Sequence, residues 1–378
     1  MALTSLSLID NVVHGATTPR APSAGLAVRE YQPALDGLRA LAITAVVVFH
    51  SSNLLPGGSR GVDLFFVLSG FLITSLLMQE TAKNGAIDLR AFYARRAIRL
   101  WPALLLVLAA TASSAYWSQN PRDTLRAVAI SATYLMNWNS AFEFWPEATL
   151  GHTWSLAMEE QFYLVWPFLL AFVLPRRPLA CTFGLIVAVL ALRVAVVLGG
   201  GSVSRIYNGF DTHSDGLLIG AALAMTSAKH PQVIRRLSEV APFIAPAAIF
   251  LLVVPGQTKF AQSIDLTFTA IVAASLLVLG MTSRIATRIL SLGPLRYTGK
   301  ISYGWYLWHF PVLQIGAHHL KGGPFLALGL GLASYAIAAL SYQFVEKPAL
   351  RLKARFAPLK NKATECLPCR RPVLAAAS

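Results

Sequence analysis

The sequence predicts an all-α integral membrane protein, a single bundle of about ten transmembrane helices with both termini cytoplasmic. Three observations predict it. Only 13% of the 378 residues are charged and the mean hydropathy is +0.57, whereas an ordinary soluble chain carries about 25% charged residues. Apolar runs of the roughly 20 residues needed to cross a bilayer recur from one end of the chain to the other. The Lys and Arg behind the net charge of +15 fall in short clusters between those runs, which is the pattern of the positive-inside rule.

Taken in order, residues 1–33 are rich in Ala, Thr, Pro and Ser and contain no continuous apolar stretch. They predict a cytoplasmic tail and no cleaved signal peptide. Spans are expected at 34–55, 62–79, 98–117, 155–174, 180–199, 211–228, 240–255, 264–282, 301–320 and 324–345. A weaker segment at 124–138 is short and polar, and is expected to lie at the interface without crossing. This alternation places 24 basic residues inside and 6 outside. Counting 124–138 as a span would carry the acidic loop of Glu143 and Glu147 inside and invert the first three spans relative to the rest. The membrane domain therefore runs over 34–346, with 347–378 a basic cytoplasmic tail.

The charge distribution also argues against nucleic acid as a partner, because the cations do not gather along one face. Cys366 and Cys369 form a CxxC in the tail, but no further Cys or His stands beside them. Four zinc ligands cannot assemble there, so no metal site is expected. Cys181 opens an apolar run and reads as a packing residue.

Charged side chains at membrane depth cost about 2.5–3.5 kcal/mol on insertion scales, which makes them functional candidates. The first span carries Asp36, Arg39 and His50. An eleven-residue separation puts Arg39 and His50 within about 20° of one helical face and about 16 Å apart along the axis. The competing reading has Arg39 snorkelling to the headgroups and His50 near the outer interface. Asp63 opens the second span, either as a functional carboxylate or as an ordinary helix N-terminal charge. Ser69 and Gly70 permit close helix approach.

Arg95, Arg96 and Arg99 crowd the cytoplasmic start of the third span. Arg96 and Arg99 share a face and can grip a phosphate in fork geometry. The competing reading is ordinary positive-inside anchoring, which does not explain why the cluster is all arginine. In GHTWSLAMEEQFYLVWP, Trp154, Glu159 and Glu160 stand at the outer start of the fourth span. Adjacent positions diverge by about 100°, so one carboxylate at most points into the bundle. Such an acid could orient His50 as a base. Arg193 lies mid-span and needs Asp211, Asp215 or a bound anion. Tyr303, Tyr306 and His309 fall on the ninth span, where an interfacial aromatic belt is the plainer reading.

Together these motifs resemble the membrane-bound acyltransferase type 3 family, whose members O-acylate bacterial polysaccharides, lipopolysaccharide, nodulation factors, peptidoglycan and some macrolides. The resemblance rests on R-x10-H at Arg39 and His50, GVDLFFVLSGFLI from Gly61 and RxxR at Arg96 and Arg99. It is completed by WSLAMEEQFYL from Trp154, SYGWYLWHFPV from Ser302 and VEKP from Val345, and so covers about residues 31 to 350.

It implies a ten-helix domain in the bacterial cytoplasmic membrane and a cytoplasmic acyl-CoA donor, acetyl-CoA by family frequency, with no tightly bound cofactor. It further implies an essential histidine at His50 and arginines at Arg39, Arg96 and Arg99 that engage the donor's phosphates. Glu159 or Asp63 is expected to orient His50. Asp36, Trp154, Arg193, Tyr303 and His309 are expected to shape the acceptor site or its support. Some members carry an extracytoplasmic esterase-like domain; residues 347–378 are too short for one, which predicts direct transfer. A carbohydrate or lipid-linked sugar is the expected acceptor, with a macrolide hydroxyl as the alternative. A transporter or flippase of an anionic lipid-linked sugar is the rival from another class, though the halves show no repeat and no paired broken helices.

Overall fold

The computed structural model describes residues 31–52, 54–174, 176–255, 259–320 and 324–352. Most of both expected tails, with Cys366 and Cys369, and Lys321 lie outside the described residues. Among those described there is no strand. The chain is a bundle of α1 (Pro33–Ser51), α2 (Gly61–Asn84), α3 (Leu89–Ser114), α4 (Pro121–Ala132), α5 (Met136–Phe142) and α6 (Trp154–Phe168). It continues through α7 (Pro178–Leu198), α8 (Val203–Asn208), the single turn α9 (Phe210–His213), α10 (Asp215–Lys229), α11 (Pro231–Ile244) and α12 (Ala247–Val253). It closes with α13 (Lys259–Thr282), α14 (Arg284–Leu290), α15 (Gly293–His319), α16 (Pro324–Ser341) and α17 (Lys347–Arg351).

Local chemistry sets several boundaries. Pro33 occupies the first turn of α1, where a missing N–H costs nothing. α2 stops at Gly85, whose φ of 79° is the left-handed cap that glycine takes without strain. Asp88 caps α3 by accepting from the Ala91 N–H at 2.9 Å.

Seven helices among the described residues are long and apolar enough to cross a membrane, or eight if α11 and α12, bent by 46°, form one broken span. The chain is thus a multi-pass, all-helical membrane protein. Two further expected spans fall short of that test for different reasons. α10 has 15 residues, about 22 Å of helix against a hydrocarbon core of about 30 Å. α15 has 27 residues but spends its polarity on the side chains that build the site. The segment 124–138 divides into α4 and α5 around Tyr134, which has a positive φ of 55°. Neither piece is long enough to cross.

Two close helix pairs position the site. α1 packs along α15 with both chains running the same way: a Cβ on Gly299 would stand 1.9 Å from the Asp36 carbonyl oxygen at one end, and His50 meets His309 at the other. α2 packs along α10, also parallel, and Cβ atoms on Gly70 and Gly220 would stand 1.9 Å and 2.1 Å from the carbonyls of Leu217 and Val67. Gly70 therefore does what its place in the sequence predicts, admitting a neighbouring backbone to direct contact.

Candidate active site

Three cavities succeed one another between α1, α2, α3, α6 and α15. A vestibule of about 380 Å³ opens beside the start of α1, where Arg39, Arg96, Arg99 and Lys300 face the carboxylates of Asp36 and Glu346. A narrow waist of about 90 Å³ shares those four cations and adds Glu159 and Tyr306, and Tyr303 lines both spaces. Tyr306 and Val62 also line an outer cavity of about 410 Å³, which holds His50, Asp63, His152 and Trp154. One face of α1 thus serves both ends, Arg39 the inner and His50 the outer.

The hydrogen bonds around His50 fix its tautomer. His50 Nδ1 lies 3.1 Å from the Val46 carbonyl and 3.2 Å from His309 Nε2, and His309 Nδ1 lies 2.6 Å from the Tyr306 carbonyl. Carbonyls only accept, so both Nδ1 atoms carry hydrogen. With neutral rings, His309 Nε2 accepts from His50 Nδ1–H, and His50 Nε2 keeps its lone pair. Among the described residues that nitrogen has no hydrogen-bond partner, and its ring lines the outer cavity. A free imidazole lone pair facing a cavity is what a general base requires. Phe49 and Phe310 hold the ring by edge contacts at 4.9 and 5.1 Å.

The carboxylates expected to orient His50 do something else. Glu159 accepts from Ser69 Oγ at 2.7 Å and lies in the waist. Asp63 shares the outer cavity with His50, but its Oδ1 lies 2.8 Å from His213 Nε2. His213 Nδ1 donates to the Tyr207 carbonyl at 2.6 Å, so a single proton sits between Asp63 and His213 Nε2. Asp63 Oδ2 is buried and has no hydrogen-bond partner among the described residues. Neither carboxylate is bonded to His50 in the structure, because helix packing sets reach: α15, parallel to α1, brings His309 to His50, while α10, parallel to α2, brings His213 to Asp63.

Arg39, Arg96 and Arg99 line both the vestibule and the waist. Arg96 lies 3.6 Å above the Tyr163 ring and 3.8 Å from Glu160. Arg39 is 3.9 Å from Asp36, which also accepts from the Tyr31 hydroxyl. Arg99 has no ion pair or hydrogen bond among the described residues. Four cations against two carboxylates leave the vestibule suited to an anion. Tyr303 donates to the Leu100 carbonyl at 3.0 Å, and Trp154 stacks near His213 at 5.9 Å.

Arg193 lines none of the three cavities. It is 1% exposed and ion-paired to Asp215, with further donation to the Thr212 carbonyl at 2.6 Å, the Ser263 carbonyl at 2.9 Å and Thr267 at 2.8 Å. It ties α7, α10 and α13 together, and Asp211 pairs with Arg205 instead. Three participants were not assigned roles from sequence. Lys300 is one vestibule cation, masked by its place in a basic loop. His213 pairs with Asp63, and only the start of an expected span marked it. His152 is buried, neither ring nitrogen has a hydrogen-bond partner among the described residues, and its ring is stacked on Phe310 at 5.0 Å and 5.4 Å from His309. Among the described residues no cluster of His, Cys, Asp or Glu is arranged to hold a metal.

A family profile described as an acyltransferase domain matches residues 32–343. The putative peptidoglycan O-acetyltransferase YrhL of Bacillus subtilis is 36% identical over 346 residues, 84% of this chain and 55% of that protein. The peptidoglycan O-acetyltransferase OatA of Listeria monocytogenes is 34% identical over 85% of this chain and 56% of its own length. The O-acetyltransferase OatA of Staphylococcus aureus is 32% identical over 84% and 57%. The chain therefore spans little more than half the length of these relatives. No solved structure matches.

Proposed function

The chain belongs to the acyltransferase domain family, and from that premise we propose that it moves an acyl group from cytoplasmic acyl-CoA to a hydroxyl of a cell-wall carbohydrate across a bacterial cytoplasmic membrane. The observation that carries this reading is the run of cavities from the cationic vestibule to the free Nε2 of His50. The names of the relatives, peptidoglycan O-acetyltransferases among them, favour an acetyl group and a glycan acceptor. The bias of basic residues favours a cytoplasmic vestibule.

In the proposed reaction Arg39, Arg96, Arg99 and Lys300 bind the phosphates of the donor. The pantetheine arm then occupies the waist and delivers the thioester past Tyr306. Arg39 and His50 lie about 16 Å apart along α1, about half the hydrocarbon core, a span suited to that arm. His50 Nε2 takes the proton as the acceptor oxygen attacks the thioester carbonyl. The tetrahedral intermediate collapses by breaking the C–S bond, so the ester forms and CoA leaves as thiolate. The proton passes from His50 to thiolate or water. His309 does not touch the reacting atoms in this scheme; it holds His50 in the tautomer that leaves Nε2 free.

The test is purified protein in detergent with radiolabelled acetyl-CoA and a panel of glycans, wild type beside His50→Ala. Label on a glycan that disappears in the variant supports the proposal. Undiminished transfer by His50→Ala removes the base, and folded wild-type protein that transfers to no glycan removes the acceptor class.

A further inference from the structure

Beside the outer cavity lies a second hollow of about 430 Å³, formed where the end of α3, the start of α4 and the last turns of α15 converge. We propose that it is a glycan subsite, which binds a neighbouring sugar of the chain whose hydroxyl is acylated at His50. The inference rests on the carbohydrate acceptor proposed above and goes beyond it, giving the enzyme a preference for polymer over single sugars.

Four of the hollow's polar side chains are unspent. Among the described residues the side-chain amides of Gln119, Asn120 and Gln314 make no hydrogen bond, although all three line it. Thr149 also lines it, and its Oγ1 is buried without a partner. Neutral amides and hydroxyls that can both donate and accept match the hydroxyls of a sugar. Trp117, 68% exposed at the rim, offers a flat apolar face for the C–H side of a pyranose ring.

Charge separates this ligand from the obvious rival. Among the described residues no Lys or Arg lines the hollow, and its one acid, Asp123, is already paired to Arg126 at 3.2 Å. A phosphate-bearing lipid headgroup would find no unpaired cation lining the hollow among the described residues, whereas a neutral or N-acetylated sugar needs none. An interfacial belt explains an exposed tryptophan but not a buried hydroxyl left without a partner.

Position supports a continuous acceptor path. Thr149 and His152 stand three residues apart in a 3-10 turn (Ala148–Thr153), a rise of about 6 Å. One lines the hollow and the other the outer cavity. Gln314 lies one turn of α15 beyond Phe310, whose ring touches those of His50 and His152. The offset is about that of adjacent sugars in a strand.

The experiment compares a disaccharide and a tetrasaccharide of β-1,4-linked N-acetylhexosamines as ligands of the full chain in nanodiscs. Binding is measured by calorimetry and, separately, acetyl transfer is followed. The tetrasaccharide is expected to bind about tenfold more tightly than the disaccharide, the yield of two or three added hydrogen bonds. That advantage should vanish in Trp117→Ala/Gln314→Ala and shrink in the near-isosteric Thr149→Val. Equal binding of the two lengths by wild type, or an advantage that survives all these substitutions in folded protein, overturns the subsite. Length-dependent binding without acetyl transfer to either ligand would overturn the proposed reaction and leave the subsite standing.

Discussion

His50 and His309 meet with Nδ1 of the first 3.2 Å from Nε2 of the second, although 259 positions separate them in the chain. Because His309 Nδ1 is committed to the Tyr306 carbonyl, its other nitrogen can only accept while the ring is neutral. Replacing His309 with Phe removes that acceptor and frees the His50 ring to turn. We expect kcat to fall about 10²-fold, within the range of a general base's contribution, with KM for acyl-CoA little altered. His309→Gln supplies an amide oxygen at a similar place and should recover part of the loss. Equal damage from Phe and Gln, or none from either, would count against the positioning role.

Donor recognition makes a separate prediction. Arg99 has neighbouring cations and no ion pair among the described residues, so an incoming phosphate is its natural partner. Arg99→Ala should raise KM for acetyl-CoA about tenfold, an effect that weakens as salt screens the contact in wild type. S-acetyl-N-acetylcysteamine carries the thioester but no phosphate, and should be used equally by variant and wild type. A parallel loss with this truncated donor would place Arg99 in the chemistry or in the fold, not in phosphate binding.

Of the partners the sequence offers Arg193, the structure supplies Asp215, and the residue sits as a clamp between helices. Its guanidinium is satisfied by Asp215, Thr267 and two carbonyls. Arg193→Met strands a buried carboxylate, which typically costs about 3–5 kcal/mol. Thermal unfolding in detergent should show a marked drop in midpoint. Adding Asp215→Asn should return part of it by removing the orphaned charge. If Arg193→Met keeps the wild-type midpoint but loses transfer, the residue belongs to the reaction after all.

These cases mark what the sequence makes legible. The fold class is readable because hydropathy and loop charge answer directly to lipid and water. The Arg39–His50 face is readable because both residues ride one helix of known pitch. Arg96 and Arg99 are readable for the same reason. The pairings of His50 with His309 and Asp63 with His213 cross between helices, and depend on which helices touch and in which direction. Nothing local encodes that. A carboxylate partner for His50 was the natural expectation from side-chain chemistry alone; the parallel run of α1 beside α15 supplies a histidine instead.

That dependence on helix contact can itself be tested, far from the reacting atoms. Gly299 lies against the backbone of Asp36, and a Cβ there would come within 1.9 Å of the carbonyl oxygen. Backbone cannot turn aside as a flexible side chain can, so Gly299→Ala must push α15 away from α1. Such overpacking costs about 1–3 kcal/mol. The same separation opens the His50–His309 contact some three turns along, and a misplacement of about 1 Å in a catalytic group can cost about 10²-fold in rate. Gly329→Ala provides the control, since a Cβ at that position meets nothing within 4 Å. Folded Gly299→Ala protein should therefore show a depressed kcat while Gly329→Ala does not. Wild-type kcat in folded Gly299→Ala would mean that the histidine pair is held by something other than the α1–α15 seam.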